Sequence, residues 1–273
     1  MEGPINRSVA TLRGMIEEPL GGNQSASVRM GDTVRRRTGP WTPAVHALLK
    51  HLRASGFDAV PEPLGVDEKG RAVLRYMPGQ THPGWPDPMP PWMYEDDATI
   101  TAAGGLLRRY HDVAMSFIAP PDAQWRTVAP GRHEIVCYYD WGPYNALFRD
   151  HEPVVMLDWD SAGPGTRLWD IALAAYQWVP LFPMLDGVSH NRVLALPQRA
   201  ARLATFCEGY GGVRPAEAID ALVAELPFHA KLIQRLADDG DLGSVKLAGW
   251  NVPQRLRRES ELLRRERSSL VRT

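Results

Sequence analysis

The chain has 273 residues, of which 44% are hydrophobic and 23% are charged, and its formal net charge is −1. This composition is typical of a globular protein that buries a sizeable core in one large domain or two modest ones. A nearly neutral chain gives no reason to expect a nucleic acid or a membrane surface as its main partner.

The N-terminus and the cysteines bear on the compartment. Residues 1–19 contain no apolar segment of the kind found in signal peptides. No apolar run approaches the roughly 18 residues that are needed to span a bilayer. Cys137 and Cys207 are the only cysteines. They are too few for a disulfide framework and are expected to be buried, reduced thiols, so the predicted location is the cytoplasm.

The predicted elements begin with short antiparallel strands. A turn at residues 21–23 is indicated by two glycines and an asparagine. The strand-like runs 27–30 and 33–36 follow, and Gly31-Asp32 between them is a hairpin signal. The chain is therefore predicted to start with a glycine-bearing turn and a β-hairpin.

A helix is predicted next, with Thr42 as its N-cap, Pro43 in its first turn and Gly56 at its end. Apolar residues recur within it at helical spacing, namely Val45, Leu48, Leu49 and Leu52. Residues 60–65 and 72–77 are predicted to form two more strands. The beginning of the chain is thus a small lobe of strands with one helix.

Residues 78–97 separate this lobe from a mainly helical second part. The segment contains six prolines, which exclude a continuous helix or a central strand, and it is predicted to be a linker or covering loop. In the second part, strands are predicted only at 134–138 and 154–159. Apolar periodicity predicts helices over residues 98–114, 168–179, 198–210, 215–237 and 253–268.

The end of the chain is rich in arginine and has leucines at regular spacing. Leu256, Leu263 and Leu270 are seven residues apart. This pattern favours a terminal amphipathic helix that docks through its leucines and exposes its arginines. A short coiled-coil seam between two copies of the chain is the alternative.

Residues 140–160 best indicate a chemistry. Asp140 is followed five residues later by Asn145, and Asp158 follows after thirteen more, at the end of an apolar strand. Mg²⁺ prefers oxygen ligands, usually one or two side chains together with phosphates and water. Phosphoryl transfer also needs a separate carboxylate beside the acceptor hydroxyl. A loop-strand-turn-strand unit would bring the side chains of Asp140, Asn145 and Asp158 to one edge of that unit.

This order of Asp140, Asn145 and Asp158 resembles the catalytic loop and metal-binding turn of the aminoglycoside phosphotransferases and related small-molecule kinases. The segment Leu157-Asp158-Trp159-Asp160 matches the metal-binding turn well. Further matches to the family pattern lie at residues 73–79, 107–111, 163–165 and 168–172. The resemblance therefore extends over roughly residues 17–260, nearly the whole chain.

The resemblance implies an α+β class and a bilobal, protein-kinase-like fold. A small antiparallel β lobe would be followed by a larger, mainly helical lobe. Residues 1–77 would form the nucleotide-binding lobe, and residues 78–273 the lobe that holds the catalytic residues and the substrate.

The same resemblance implies roles for individual residues. Asp140 would be the catalytic base, and Asn145 and Asp158 would bind Mg²⁺. Asp160 would cap its turn or aid the metal, and Asp170 would hold the catalytic loop. The nucleotide, ATP or GTP, would be held by Gly21, Gly22, Asn23, Ser25, Arg36 and the backbone near Tyr76 and Met77.

Three departures from the family pattern bear on activity. Tyr138 and Tyr139 stand where the family has His-Gly before the aspartate, and a tyrosine cannot imitate an imidazole. The phosphate-binding lysine is replaced by arginine, for which Arg36 is preferred to Arg35, because the two point to opposite faces of a strand. The following helix lacks the usual glutamate and has His46 in that region, where a partly buried, satisfied histidine is favoured over one that faces the nucleotide.

These features leave several functions open. The preferred one is an enzyme that transfers phosphate from ATP or GTP to a small-molecule hydroxyl, for example on an aminoglycoside-like antibiotic, and that acts as a monomer or homodimer. The alternative is a weak or inactive kinase-like protein that binds a nucleotide or metabolite. A kinase for a primary metabolite such as choline or homoserine is a third possibility. Acidic groups at 95–97 or 238–241 could receive a cationic acceptor, although solvated loop acids are the commoner case.

Overall fold

A computed structural model describes residues 17–20, 27–82, 90–182 and 194–271. Strands predominate in its first part and helices in its second. The predicted α+β class, with an antiparallel sheet first and helices after, is therefore confirmed.

The first sheet has five antiparallel strands in the order β1-β2-β3-β5-β4. The hairpin between β2 and β3 turns at Gly31, whose φ of 61° lies in the left-handed region that glycine adopts easily. The pairing of β3 with β5 then places Arg36 opposite Ala72 in the middle of the sheet. The strands are β1 (Glu18–Pro19), β2 (Val28–Met30), β3 (Thr33–Arg36), β4 (Pro63–Val66) and β5 (Ala72–Arg75).

One helix, α1 (Thr42–Ala54), lies in the chain between β3 and β4 of this sheet. It buries an apolar face that includes Leu48, Leu49 and Leu52. The prediction that Thr42 caps it is wrong, since the helix begins at Thr42 and Trp41 is the N-cap residue. The Thr42 hydroxyl instead accepts a hydrogen bond from the Gly39 backbone N–H at 2.9 Å. It thus holds the turn before the helix.

The second part contains more strands than predicted. The predicted runs correspond to β7 (Ile135–Cys137) and β9 (Glu152–Met156), whereas β6 (Gln80–Thr81), β8 (Ala146–Arg149) and β10 (Gly163–Gly165) were missed. The strands pair as a three-stranded sheet, β6-β8-β9, and a two-stranded sheet, β7-β10. The missed strands are short, and β10 consists of two glycines and a proline, which argue locally against a strand. Only pairing with a partner strand defines them.

The predicted helices all form, with ends that differ by at most two residues. Among the residues that the structure describes, two α-helices were not predicted, the four-residue α2 and the eight-residue α7. In the described part of the chain, none of the helices combines the length and apolarity that a membrane crossing requires. They are α2 (Trp92–Glu95), α3 (Asp97–Ala114), α4 (Arg167–Trp178), α5 (Leu196–Tyr210), α6 (Pro215–Asp238), α7 (Leu242–Gly249) and α8 (Val252–Leu270).

The C-terminal helix α8 docks on the rest of the chain. Leu256, Leu263 and Leu270 are 5%, 0% and 0% exposed, which confirms the predicted amphipathic helix. Pro227 lies inside the neighbouring helix α6, and a proline cannot donate to the carbonyl four residues earlier. That carbonyl, of Val223, accepts a hydrogen bond from the Ser260 hydroxyl of α8 at 2.8 Å. The leucines are thus buried within one chain and leave no coiled-coil seam.

Candidate active site

The β8–β9 hairpin brings Asn145 and Asp158 to the same end of a small sheet. Ala146 pairs with Met156, so Asn145 lies directly before one strand and Leu157-Asp158 directly after the other. The backbone confirms this closeness, because the Leu157 N–H donates to the Asn145 carbonyl at 2.8 Å.

Asp140 is tied to the same place by Asn145 and Tyr144. The Asn145 side-chain amide donates through Nδ2 to the Asp140 backbone carbonyl at 3.0 Å. The Tyr144 hydroxyl donates to Asp140 Oδ1 at 2.7 Å. Because Nδ2 is engaged, the Oδ1 of the buried Asn145 is the atom left to act as a ligand. The three side chains singled out from the sequence therefore lie together.

Asp170, on α4, holds the loop that contains Asp140. It is fully buried, and its carboxylate accepts the backbone N–H of Tyr138 at 2.6 Å and that of Tyr139 at 2.8 Å. His111 bonds to the same carboxylate through Nε2 at 3.0 Å. A buried carboxylate with several such partners is compensated for its lost hydration.

Tyr138, which replaces the family histidine, links this loop to the metal-binding turn. It is completely buried, and its hydroxyl donates to the carbonyl of Leu157, the residue before Asp158. Asp158 itself has a left-handed backbone, with a φ of 50°. The tyrosine thus fixes the spacing between Asp140 and Asp158 by a hydrogen bond that an imidazole would make differently.

Tyr139, in the place of the family glycine, also has a left-handed backbone, with a φ of 62°. Such a conformation is costly for any residue other than glycine. Its ring is buried, and its hydroxyl donates to the Pro164 carbonyl at 3.2 Å. Gly165 makes room for it, since a Cβ there would lie 1.8 Å from the Tyr139 hydroxyl oxygen.

Burial determines the protonation of Asp140. It raises the pKa of this carboxyl to about 7, with a further increase from nearby Asp158, while hydrogen bonds from Tyr144 and Asn145 act in the opposite direction. A carboxyl that titrates near neutral pH is suited to accept a proton from an alcohol. A cation bound at Asp158 would lower this pKa.

Arg36 contacts the predicted metal ligand directly. Its Nη2 lies 2.5 Å from Asp158 Oδ1 and 3.3 Å from Asp160 Oδ2, and the residue is only 8% exposed. Burial lowers the pKa of Arg36, but the two carboxylates outweigh it, so the net pKa is raised and the guanidinium is charged. Burial raises the pKa of Asp160, and the charge of Arg36 partly offsets that increase.

A narrow cleft lies between the first sheet, α1 and the turn at Trp159-Asp160. The half-buried His46 lines the cleft. A histidine that faces the nucleotide was the less favoured of the two alternatives for this residue. Burial lowers the pKa of His46, as do Lys50 and Arg36. The other lining groups include the charged side chains of Arg36, Arg37 and Asp160 and the apolar ones of Val45, Leu49 and Leu74.

The remaining nucleotide contacts stay predictions. Tyr76 and Met77 follow β5 and are half-buried. The Tyr76 N–H donates to the Asp32 carbonyl at 2.8 Å, so this donor is already engaged. The glycine-bearing turn, with Gly21, Gly22, Asn23 and Ser25, lies outside the described residues.

Arg126, which no sequence motif indicated, lies beside Trp41, the residue that precedes α1. Its Nη2 lies 2.6 Å from Asp241 Oδ1, and its guanidinium lies over the Trp41 ring, 5.1 Å from the centroid. The segment around it is docked where the Ala129 N–H donates to the Pro164 carbonyl at 3.0 Å. These partners are more than 30 residues away along the chain, which explains why local patterns did not reveal them.

Comparison with known proteins agrees with this geometry. A model of the phosphotransferase enzyme family matches residues 119–219, which include Asp140, Asn145, Asp158 and Asp170. The trifolitoxin immunity protein of Rhizobium leguminosarum bv. trifolii is 34% identical over 200 residues, which cover 70% of this chain and 72% of that protein.

Solved structures share the fold at low sequence identity. A choline/ethanolamine kinase family protein from Mesorhizobium loti has a TM-score of 0.58 and 18% identity, with 97% of both chains covered. Aminoglycoside 2'-phosphotransferase-IIIa, in complex with GDP, has a TM-score of 0.56 and 13% identity over 94% of this chain and 99% of that one. These likenesses confirm the predicted protein-kinase-like fold. The family match and the immunity-protein relative show that the chain belongs to the phosphotransferase enzyme family.

Proposed function

We propose that this phosphotransferase transfers the terminal phosphoryl group of ATP or GTP, bound with Mg²⁺, to a hydroxyl group of a small molecule. The observation that carries the proposal is the grouping of Asp140, Asn145 and Asp158 at one end of the β8–β9 hairpin, where Asn145 is hydrogen-bonded to Asp140 and to the backbone of Leu157, the residue before Asp158. It combines a carboxylate for the acceptor with two oxygen ligands for a cation.

Asn145 and Asp158 suit Mg²⁺ because both offer hard oxygen atoms. Among the described residues, no group of three or more His, Cys, Asp or Glu side chains could hold a metal. The two ligands would therefore share the ion with phosphate oxygens and water, as is usual for Mg²⁺. When bound, the ion would neutralise charge on the phosphates during transfer.

Asp140 would orient the acceptor hydroxyl and take its proton. One carboxylate oxygen is fixed by Tyr144, which leaves the other for the substrate. The raised pKa of Asp140, about 7, is caused mainly by burial, and it brings the base close to the pH at which it would work.

Arg36 would move from carboxylates to phosphates when the nucleotide binds. In the free protein it neutralises Asp158 and Asp160. A cation at Asp158 would weaken that pairing, and arginine binds phosphate oxygens well. The substitution of lysine by arginine is thus compatible with nucleotide binding.

A second candidate is a protein that binds the nucleotide but transfers phosphate slowly or not at all. The close pairing of Arg36 with Asp158 favours it, because the metal must compete with a guanidinium at 2.5 Å.

If the protein is an active enzyme, the identity of the acceptor remains a proposal. The name of the 34% identical relative, an immunity protein, supports a toxin as the acceptor. An aminoglycoside-like antibiotic and a metabolite such as choline are the other candidate acceptors. Cytoplasmic location and a monomeric or homodimeric state also remain predictions.

Calorimetry with ATP and GTP, with and without Mg²⁺, tests the proposal. We expect nucleotide binding to require the ion and Asp158→Ala to remove this metal-dependent binding. A panel of alcohols, assayed for phosphate transfer, then separates an enzyme from a binding protein. Equal nucleotide affinity with and without Mg²⁺ would show that the metal assignment is wrong.

A further inference from the structure

The Arg36 guanidinium lies where a cation would bind to the metal-binding turn. A single nitrogen, Nη2, is 2.5 Å from Asp158 Oδ1 and 3.3 Å from Asp160 Oδ2, so it contacts both carboxylates at once. The side chain of Arg36 is 10% exposed, whereas those of Asp158 and Asp160 are 29% and 28% exposed. A metal ion that shared Asp158 Oδ1 would lie against this buried guanidinium, and like charges at such a distance repel each other.

The metal-binding turn is held in place by hydrogen bonds that do not involve Arg36. The Leu157 N–H donates to the Asn145 carbonyl at 2.8 Å, and the Leu157 carbonyl accepts the Tyr138 hydroxyl. These bonds fix the backbone directly before Asp158. The carboxylate of Asp158 is therefore expected to keep its position when Arg36 moves away.

The cleft offers Arg36 few other partners. Among the described residues that line it, Asp160 is the one carboxylate, and Arg37 adds a further positive charge. Removing the partner of a buried charge is strongly destabilising. A metal ion alone would therefore displace Arg36 at a high cost in free energy. A nucleotide would lower that cost, because its phosphate oxygens are good partners for a guanidinium.

We propose that Arg36 makes the metal site selective for a metal–nucleotide complex, because it excludes a free divalent cation from Asp158 until phosphates attract the guanidinium away. This exclusion rests on the proposed phosphoryl transfer, whose metal site it regulates. Metal and nucleotide should then bind with positive cooperativity, since each removes a cost that the other would meet alone.

Mn²⁺, added to the full-length protein without nucleotide and followed by electron paramagnetic resonance, is the probe. We expect Arg36→Gln to bind Mn²⁺ about tenfold more tightly than the parent, a change within the range of about 5- to 150-fold that is typical of coupled sites. The double variant Arg36→Gln/Asp158→Asn should lose this gain. The matched control is Arg35→Gln on the same strand, since Arg35 pairs with Asp67 at 3.4 Å; its Mn²⁺ affinity should equal that of the parent.

A second titration repeats the measurement with a non-hydrolysable ATP analogue present. The analogue should tighten Mn²⁺ binding in the parent, and it should do so less in Arg36→Gln, whose metal site is already accessible. Arg36→Lys keeps the charge but loses the fork of donors. It should show an intermediate Mn²⁺ affinity, and it replaces Arg36→Gln if that protein does not fold.

Equal Mn²⁺ affinities in the parent and in a folded Arg36 variant, measured without nucleotide, would overturn the inference. A gain that persists in the double variant, or an equal gain in Arg35→Gln, would overturn it as well, because the ion would then bind elsewhere. If no variant binds the analogue while Arg36→Gln gains Mn²⁺ affinity, the transfer proposal fails and the exclusion of the free ion stands.

Discussion

Tyr139 adopts a backbone conformation that suits glycine, and the substitution Tyr139→Gly tests what holds it there. The left-handed φ of 62° costs a non-glycine residue about 1–2 kcal/mol, which the substitution would recover. The ring, however, is only 3% exposed and contacts His229 edge-on, at 6.0 Å between centroids. Loss of a buried aromatic side chain costs about 3–5 kcal/mol. We therefore expect the free energy of unfolding to fall by about 1–4 kcal/mol.

Urea unfolding, followed by tryptophan fluorescence, measures this change. Tyr139→Phe is the matched control, because it keeps the ring and loses the hydroxyl with its bond to the Pro164 carbonyl, at an expected cost of about 1 kcal/mol. Gly165→Ala should destabilise the parent through its clash with Tyr139 and should cost less in the Tyr139→Gly background, so the two changes are not additive. A Tyr139→Gly protein as stable as the parent would refute the reasoning, and strict additivity would refute the contact.

Three other predictions concern catalysis, pH and packing. Asp140→Asn should reduce phosphate transfer by about 10²- to 10⁴-fold, far more than Tyr138→His, which changes only a supporting residue; equal rates in Asp140→Asn and the parent would contradict the assignment. Burial raises the pKa of Asp140 from 3.8 to about 7, so the folded protein binds this proton more tightly than the unfolded chain. Its stabilising effect is full below about pH 4 and is lost as the pH rises towards 7. Urea unfolding without Mg²⁺ or nucleotide should show that slope in the parent and a flatter one in Asp140→Asn. Leu263→Ala, at a fully buried site, should lower the free energy of unfolding by about 2–5 kcal/mol, whereas Leu242→Ala, at a 63% exposed site, should change it little.

The sequence by itself determined the order of the larger elements and the place of the candidate chemistry. The long helices were predicted to within two residues of their ends because apolar periodicity is a local property of the chain. The order of Asp140, Asn145 and Asp158 indicated a unit that brings them to one edge, because a hairpin joins residues that are close in sequence, although its first strand, β8, was not located from the sequence. The resemblance at Leu157-Asp158-Trp159-Asp160 indicated the family because this motif consists of four consecutive residues and can be recognised without the fold.

Only the tertiary structure decided which distant charges pair. Arg36 and Asp158 are 122 residues apart, and Arg126 and Asp241 are 115 apart, so no local pattern predicts either pair. Likewise, β10 is a strand only because β7 supplies its partner. Such contacts depend on how distant segments pack, and long-range packing routinely overrides the weak preferences of short segments.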